Sequence, residues 1–218
     1  GWRVLVPDLP GFGDSDLPLG STDAHHLLPH LHAGMAQLQA AGPVSLVGFS
    51  FGGMAAALWL AAYPQDAQQL VLVGAPGMGI TAPERVKLKG WRHLNSQPAQ
   101  ADIHRHNLMA LMLHKAESLD ALALALHSAN VQRDRMPRRR LSSTDIVAQT
   151  LPQLQVPVSA IYGGQDALYR GRLPEVQAAM ARLTPQFDRW LALPDAGHWV
   201  QYESAAPFNA ALQGLLRP

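Results

Sequence analysis

Along the chain, short β-branched or leucine-rich runs alternate with longer stretches in which apolar positions recur every three or four residues. That alternation predicts an α/β fold, a mostly parallel sheet flanked by helices. The predicted strands are Arg3-Val4-Leu5-Val6, Val44-Ser45-Leu46-Val47-Gly48, Leu70-Val71-Leu72-Val73, residues 156–162 and residues 189–193. A helix is predicted from Pro29, with Leu31, Met35 and Leu38 at helical spacing and Gly42 ending it before Pro43. A second covers residues 51–63 and is stopped by Pro64; others cover residues 174–183 and 207–216.

The middle of the chain reads differently. From about residue 80 to residue 150 there is no strand signal, only helical patterns such as residues 108–113 and 119–126, and arginines gather at Arg133, Arg135, Arg138, Arg139 and Arg140. The organisation expected is one α/β unit in two parts, residues 1–78 and 151–218, interrupted by a helical insertion over 79–150.

Composition narrows the function classes. The 218 residues carry 17 Lys+Arg against 16 Asp+Glu, a formal net charge of +1, so there is no electrostatic footprint for nucleic acid or an acidic membrane surface. Hydrophobic residues at 48% against 15% charged describe a globular chain. The longest apolar stretch, residues 54–62, is far short of the roughly 20 residues that span a bilayer. The absence of cysteine excludes disulfides, cysteine nucleophiles and thiolate metal sites. No signal peptide is visible, and a cytoplasmic location is the accompanying expectation. The chain opens on Gly1 and almost at once on a predicted strand, from which a missing N-terminus is expected.

Gly48-Phe49-Ser50-Phe51-Gly52 is a G-x-S-x-G sequence between a predicted strand and a predicted helix. A serine on so tight a turn projects its hydroxyl above the sheet, and small residues two before and two after it avoid a clash. The helix that follows aims its free amides and positive dipole end at the same place. Gly53 lets that helix pack close to the strand. Serine needs a base, and the base needs an orienting partner. His198 follows the last predicted strand in Asp195-Ala196-Gly197-His198, and Asp166 follows the preceding one in Gly163-Gly164-Gln165-Asp166. Both fall at carboxyl ends of parallel strands, where α/β sheets build their sites.

At these residues the chain resembles the α/β-hydrolase family. The segment Asp8-Leu9-Pro10-Gly11-Phe12-Gly13-Asp14-Ser15-Asp16 resembles the family's D-x-x-G-x-G-x-S-D turn after its fourth strand, and residues 48–53 resemble its nucleophile elbow. Residues 162–166 resemble its acid loop and Gly197-His198 its histidine loop. The resemblance implies Ser50 as nucleophile, His198 as base and then acid, Asp166 as its orienting carboxylate, and the Phe51 amide as one oxyanion donor. It also implies that residues 79–150 are a cap, that no cofactor is used, and that a small molecule is the substrate. Ser rather than Asp at the nucleophile argues against the dehalogenase and epoxide hydrolase branches. Gly197-His198-Trp199-Val200-Gln201-Tyr202-Glu203, with Phe208-Asn209 beyond, resembles the tail of hydrolases that cleave carbon–carbon bonds of ring-fission (meta-cleavage) products. Phe49 stands where those enzymes usually carry Asn, and fits an esterase-like pocket. Phe49 and Trp199 are candidate substrate contacts, Trp199 with packing as the equal alternative, and Phe208 is expected to pack the last helix on the sheet.

The resemblance further implies that strands one to three of the family are absent, so that residues 3–6 should not pair with residues 44–48 and the latter should form an open edge. Three readings follow: an esterase acting through Ser50, a carbon–carbon hydrolase, or a catalytically impaired fragment acting as a binding module. Other signals are set aside. Gly11-Phe12-Gly13 lacks the third glycine of a dinucleotide loop. His25, His26, His30 and His32, and the pair His104/His106, lack suitably placed carboxylates, so no metal is expected. The arginine run is read as a solvated face, with substrate carboxylate binding as the alternative.

Overall fold

The computed structural model describes residues 2–38, 44–136 and 140–216. A four-stranded, fully parallel sheet forms the centre, in the order β1 (Val44–Phe49), β2 (Ala67–Val73), β3 (Val158–Gly163), β4 (Phe187–Leu193). Helix α1 (Leu28–Gln37) precedes it, with Pro29 in its first turn where a missing N–H costs nothing. Helix α2 (Phe51–Ala62) joins β1 to β2. It is buried on nearly all sides, as its unbroken run of Ala, Leu, Met and Trp requires.

Between β2 and β3 the described residues form only helical elements: α3 (Gln97–Asn107), α4 (Ala121–Gln132) and the short α5 (Ile146–Thr150), with 3₁₀ turns between. Residues 108–112 continue α3 in a wider winding than an α-helix. They form a π-helical turn closed by the Leu113 N–H donating to the Leu108 carbonyl at 2.8 Å. Helix α6 (Leu173–Leu183) connects β3 to β4, and α7 (Val200–Glu203) and α8 (Ala205–Leu215) end the described chain.

The period of two along the strands sorts the core into two layers. Leu70 and Leu72 of β2, with Ala160 and Tyr162 of β3, join α2, Val147 and the Val176/Met180 stripe of α6. Val71, Val73 and Ile161 point the other way, against Phe208 and Leu215 of α8. Phe208 is therefore a packing residue, as its spacing suggests. The central strands β2 and β3 are buried on both faces, which parallel pairing with helices on each side demands.

One predicted strand does not form. Residues 3–6 pair with nothing among the described residues, and Val4 and Val6 are 74% and 87% exposed. A β-branched run cannot become a strand without a neighbouring edge to receive its hydrogen bonds. Strand β1 has β2 on one side and no partner among the described residues on the other, so it is an edge strand, with Val47 exposed. The predicted stop at Gly42-Pro43 lies outside the described residues.

Candidate active site

Each of the four parallel strands delivers part of the site at its carboxyl end. Strand β1 runs through Phe49 into Ser50, which has φ +50° and ψ −122° and is the one non-glycine with positive φ among the described residues. Such a backbone costs on the order of 1–3 kcal/mol and persists only where its surroundings fix it. Here the Ser50 N–H donates to the Val73 carbonyl at 2.8 Å, and the Ser50 carbonyl accepts from Gly53 at 2.9 Å as α2 begins.

Two glycines make the turn possible. A Cβ at Gly48 would stand 2.5 Å from the Gly53 Cα, and one at Gly53 would stand 2.7 Å from the Gly48 carbonyl and 2.8 Å from the Ala75 Cβ. At Gly52 nothing lies within 4 Å. The close approach thus rests on Gly48 and Gly53, and the glycine two after the serine is not required for space.

Strand β4 ends in the loop that carries His198, and β3 in the loop that carries Asp166. His198 Nε2 lies 2.8 Å from Ser50 Oγ, and His198 Nδ1 lies 2.8 Å from Asp166 Oδ2. The His198 ring and the Asp166 carboxylate are both shut from water, at 1% and 0% exposure. Asp166 Oδ1 accepts from the Leu168 N–H at 2.9 Å, so the carboxylate is held at both ends. An ionised carboxylate only accepts; it therefore sets His198 as the tautomer with its proton on Nδ1 and leaves Nε2 to accept the Ser50 hydroxyl proton.

Strand β2 supplies the floor. Gly74 has φ +53°, and the Ala75 carbonyl accepts from the hydroxyls of Tyr162 at 2.9 Å and Tyr169 at 2.8 Å. Burial and the nearby Asp166 charge push both phenols upward in pKa, so both remain protonated donors. Tyr162 opens the acid-loop segment, but no sequence motif marks Tyr169 or Gly74; the Gly74-Ala75-Pro76-Gly77 run reads only as a strand release.

A cavity of about 430 Å³ opens over Ser50 and His198. Its walls combine Phe51, Leu168 and Tyr169 with Ile80, Val86 and Leu111, and Ser142, Ser143 and Thr144 reach it from the helical segment. Phe51 opens α2, so its amide belongs to the N-terminal turn whose N–H groups point out along the helix axis. The other two candidate contacts stand elsewhere. Phe49 is not in the wall; its ring tilts against the His198 ring, centroids 5.1 Å apart. Trp199 stacks on Tyr202 at 4.6 Å and packs with Leu108 and Leu113, and its backbone N–H donates to the Met112 carbonyl. A large apolar ring beside the helical segment finds more contact there than over the cavity, so packing claims Trp199.

The remaining sequence signals also find places. Arg133 pairs with Asp14, and Arg135 donates to the Gly13 and Ser15 carbonyls, so these arginines fasten the helical segment to the turn after residue 8. Arg138 and Arg139 lie outside the described residues. His32 is tied to Asp66 at 2.6 Å and stacks on Tyr63, and His25 and His26 face Asp23. Among the described residues no three potential ligands converge on one point. No described helix is long and apolar enough to cross a membrane.

A residue without an assigned role ties the site together. Glu203 accepts from the Gly197 N–H at 2.5 Å and from the His114 and Lys115 N–H groups at 2.8 Å each. One carboxylate thus joins the His198 loop to the chain after the π-helical turn.

Comparison with known proteins agrees with this architecture. The sequence model of the alpha/beta hydrolase fold matches residues 1–205. The chain is 28% identical over 231 aligned residues to the 2-hydroxy-6-oxo-6-phenylhexa-2,4-dienoate hydrolase of Burkholderia cepacia, covering 96% of this chain and 75% of that one. A crystal structure of a candidate aryl esterase from Burkholderia cenocepacia matches with a TM-score of 0.71 at 26% identity, over 94% of this chain and 75% of that one. The meta-cleavage product hydrolase of Pseudomonas fluorescens IP01 matches with a TM-score of 0.73 at 21% identity, over 94% and 76% of the two chains, a likeness of fold.

Proposed function

Since this chain belongs to the alpha/beta-hydrolase fold family, we propose that it is a serine hydrolase acting on a small carboxylic ester or related acyl compound. The observation that carries this reading is the unbroken line from Ser50 Oγ through His198 to Asp166, with both contacts at 2.8 Å.

In this reading His198 Nε2 takes the Ser50 hydroxyl proton as Oγ attacks the substrate carbonyl. Asp166 holds the Nδ1 proton and stabilises the imidazolium that forms. The tetrahedral oxyanion is met by the Phe51 amide at the positive end of α2. His198 returns its proton to the leaving group, and water repeats the sequence on the acyl-serine. Strain at Ser50 keeps the hydroxyl above the sheet, so no reorganisation is needed before attack. Residues 79–150 act as a cap, because Leu111 and residues 142–144 close the cavity from that side.

A second reading is hydrolysis of a carbon–carbon bond in a ring-fission product, favoured by the Burkholderia cepacia relative and by the tail at residues 197–203. The two separate in one assay. The purified chain is given p-nitrophenyl esters of increasing acyl length and, in parallel, a chromogenic ring-fission dienoate. Ester turnover that disappears in Ser50→Ala, by roughly 10⁴–10⁶ in kcat, supports the first reading. Turnover of the dienoate with negligible ester cleavage replaces it with the second.

A further inference from the structure

Beside the Ser50 cavity lies a larger trough of about 1120 Å³, and the two share Ala82, Glu84, Arg85, Val86 and Ala167. The trough is strongly cationic. Arg85, Lys87 and Lys89 line it from the irregular segment after β2, His106 from α3, and Arg170 from the turn after β3, against the one carboxylate of Glu84. In a chain of net charge +1 this is a local concentration, not a general surface property.

The segment is built to present these charges. The Lys89 N–H donates to Asn107 Oδ1 at 2.8 Å, and Asn107 Nδ2 donates back to the Lys89 carbonyl at 2.9 Å. Asn107 is buried, so the backbone is fastened to α3 from inside. Yet among the described residues no ion pair or side-chain hydrogen bond neutralises Arg85, Lys87, Lys89 or Arg170. Arg85, Lys87, Lys89 and Arg170 are all exposed, so water and salt screen their mutual repulsion, and an anion bound among them would relieve what remains. A single carboxylate would engage one guanidinium; several charges on two walls match a ligand whose charge is multiple and spread out, and tetrahedral phosphate is the common group of that kind.

Resting on the serine-hydrolase reading, we infer that the substrate is an acyl thioester of a phosphate-bearing carrier. The carbonyl sits at Ser50, the acyl chain lies among Ile80, Val86 and Leu111, and the phosphates lie in the cationic trough. Ser50 Oγ forms the acyl–oxygen bond as the carbon–sulfur bond breaks, and the thiolate leaves with the proton that His198 took from Ser50. Water, deprotonated by His198, then releases the free acid and restores Ser50.

The test compares butyryl-coenzyme A with butyryl-N-acetylcysteamine, which has the same thioester and no phosphate. The inference predicts kcat/KM at least about tenfold higher for the coenzyme A thioester at low salt, with the advantage collapsing near about 0.5 M NaCl. In the double variant Lys87→Glu/Arg170→Glu the ratio of the two kcat/KM values falls by about tenfold or more. Equal kcat/KM for the two thioesters, or a ratio unmoved by charge reversal, overturns it. A loss of the same size for a hemisuccinate ester, with no coenzyme A preference, assigns the trough to a single carboxylate and also overturns it. Binding of coenzyme A to Ser50→Ala by calorimetry separates this from the chemistry. Binding abolished by the double variant supports the trough even if no ester is turned over, in which case the hydrolase reading fails alone. Absence of binding in low salt overturns the inference.

Discussion

Gly74 and His198 are in near contact: a Cβ built on Gly74 would stand 3.3 Å from His198 Nδ1 and 3.3 Å from Asp166 Oδ2. The end of β2 therefore forms the surface on which the His198–Asp166 pair rests. Because φ at Gly74 is +53°, a side chain there meets backbone strain as well as crowding.

Gly74→Ala is expected to fold, with a backbone penalty of about 1 kcal/mol, and to displace the imidazole by tenths of an ångström. Misplacement on the 1 Å scale costs on the order of 10²-fold in rate, so a kcat reduced by about tenfold or more is expected while KM changes little. Steady-state kinetics on a matched ester check this. An unchanged kcat would mean that the pair does not depend on the β2 floor.

Glu203 is expected to matter through position rather than contact with substrate. Glu203→Ala leaves three N–H groups without their acceptor. Gly197 is buried, and a buried donor left unpaired costs about 1–3 kcal/mol, while water can reach the exposed His114. The variant's melting temperature should fall by several degrees, and kcat with it. Glu203→Gln keeps one carbonyl oxygen for His114 and Lys115 but turns an NH₂ toward Gly197, so it should recover most of the stability and less of kcat. Differential scanning calorimetry beside kinetics reads both. Full recovery of kcat in Glu203→Gln would show that the Gly197 contact is dispensable.

The helical segment carries an acid-sensitive pair. His104 and His127 lie with ring centroids 5.4 Å apart, and three of their ring nitrogens have no hydrogen-bond partner. Burial, with the His104 charge added, holds His127 down at about 4, and burial lowers His104 as well. Both therefore fold neutral, while the unfolded chain takes up protons near 6.5. Between those values the unfolded state binds more protons, so stability is full above about pH 6.5 and is lost as pH falls toward 4. Melting temperatures from pH 8 to 4.5 should drop on the acid side, and the drop should shrink in His127→Gln. A slope unaltered by that change would place the acid sensitivity elsewhere.

Much of this site was legible because its parts are local. A strand, a G-x-S-x-G turn and an apolar helix occupy consecutive residues, and Asp166 and His198 each follow a strand run directly. What pairing demands was not legible. Arg3-Val4-Leu5-Val6 has a strand's composition, but no pattern along a chain says whether a neighbouring edge is there. Glu203 acts on Gly197, His114 and Lys115 across a fold that hydropathy does not encode, and the cationic trough draws Lys87 and Arg170 from segments more than 80 positions apart. Trp199 sits in a hydrolase-like tail, yet the helical segment beside it offers more surface than the cavity.

The central claim is that Ser50 is a nucleophile activated by His198 and oriented through Asp166. It is tested most directly by incubating the chain with a fluorophosphonate and locating the adduct by peptide mass spectrometry. One phosphonyl group per chain on the Ser50 peptide is predicted, none on that peptide in Ser50→Ala, and labelling slowed by about 10⁴-fold in Asp166→Asn, whose amide would favour the wrong imidazole tautomer. An unlabelled Ser50, or labelling at another serine with ester turnover intact in Ser50→Ala, would contradict the account.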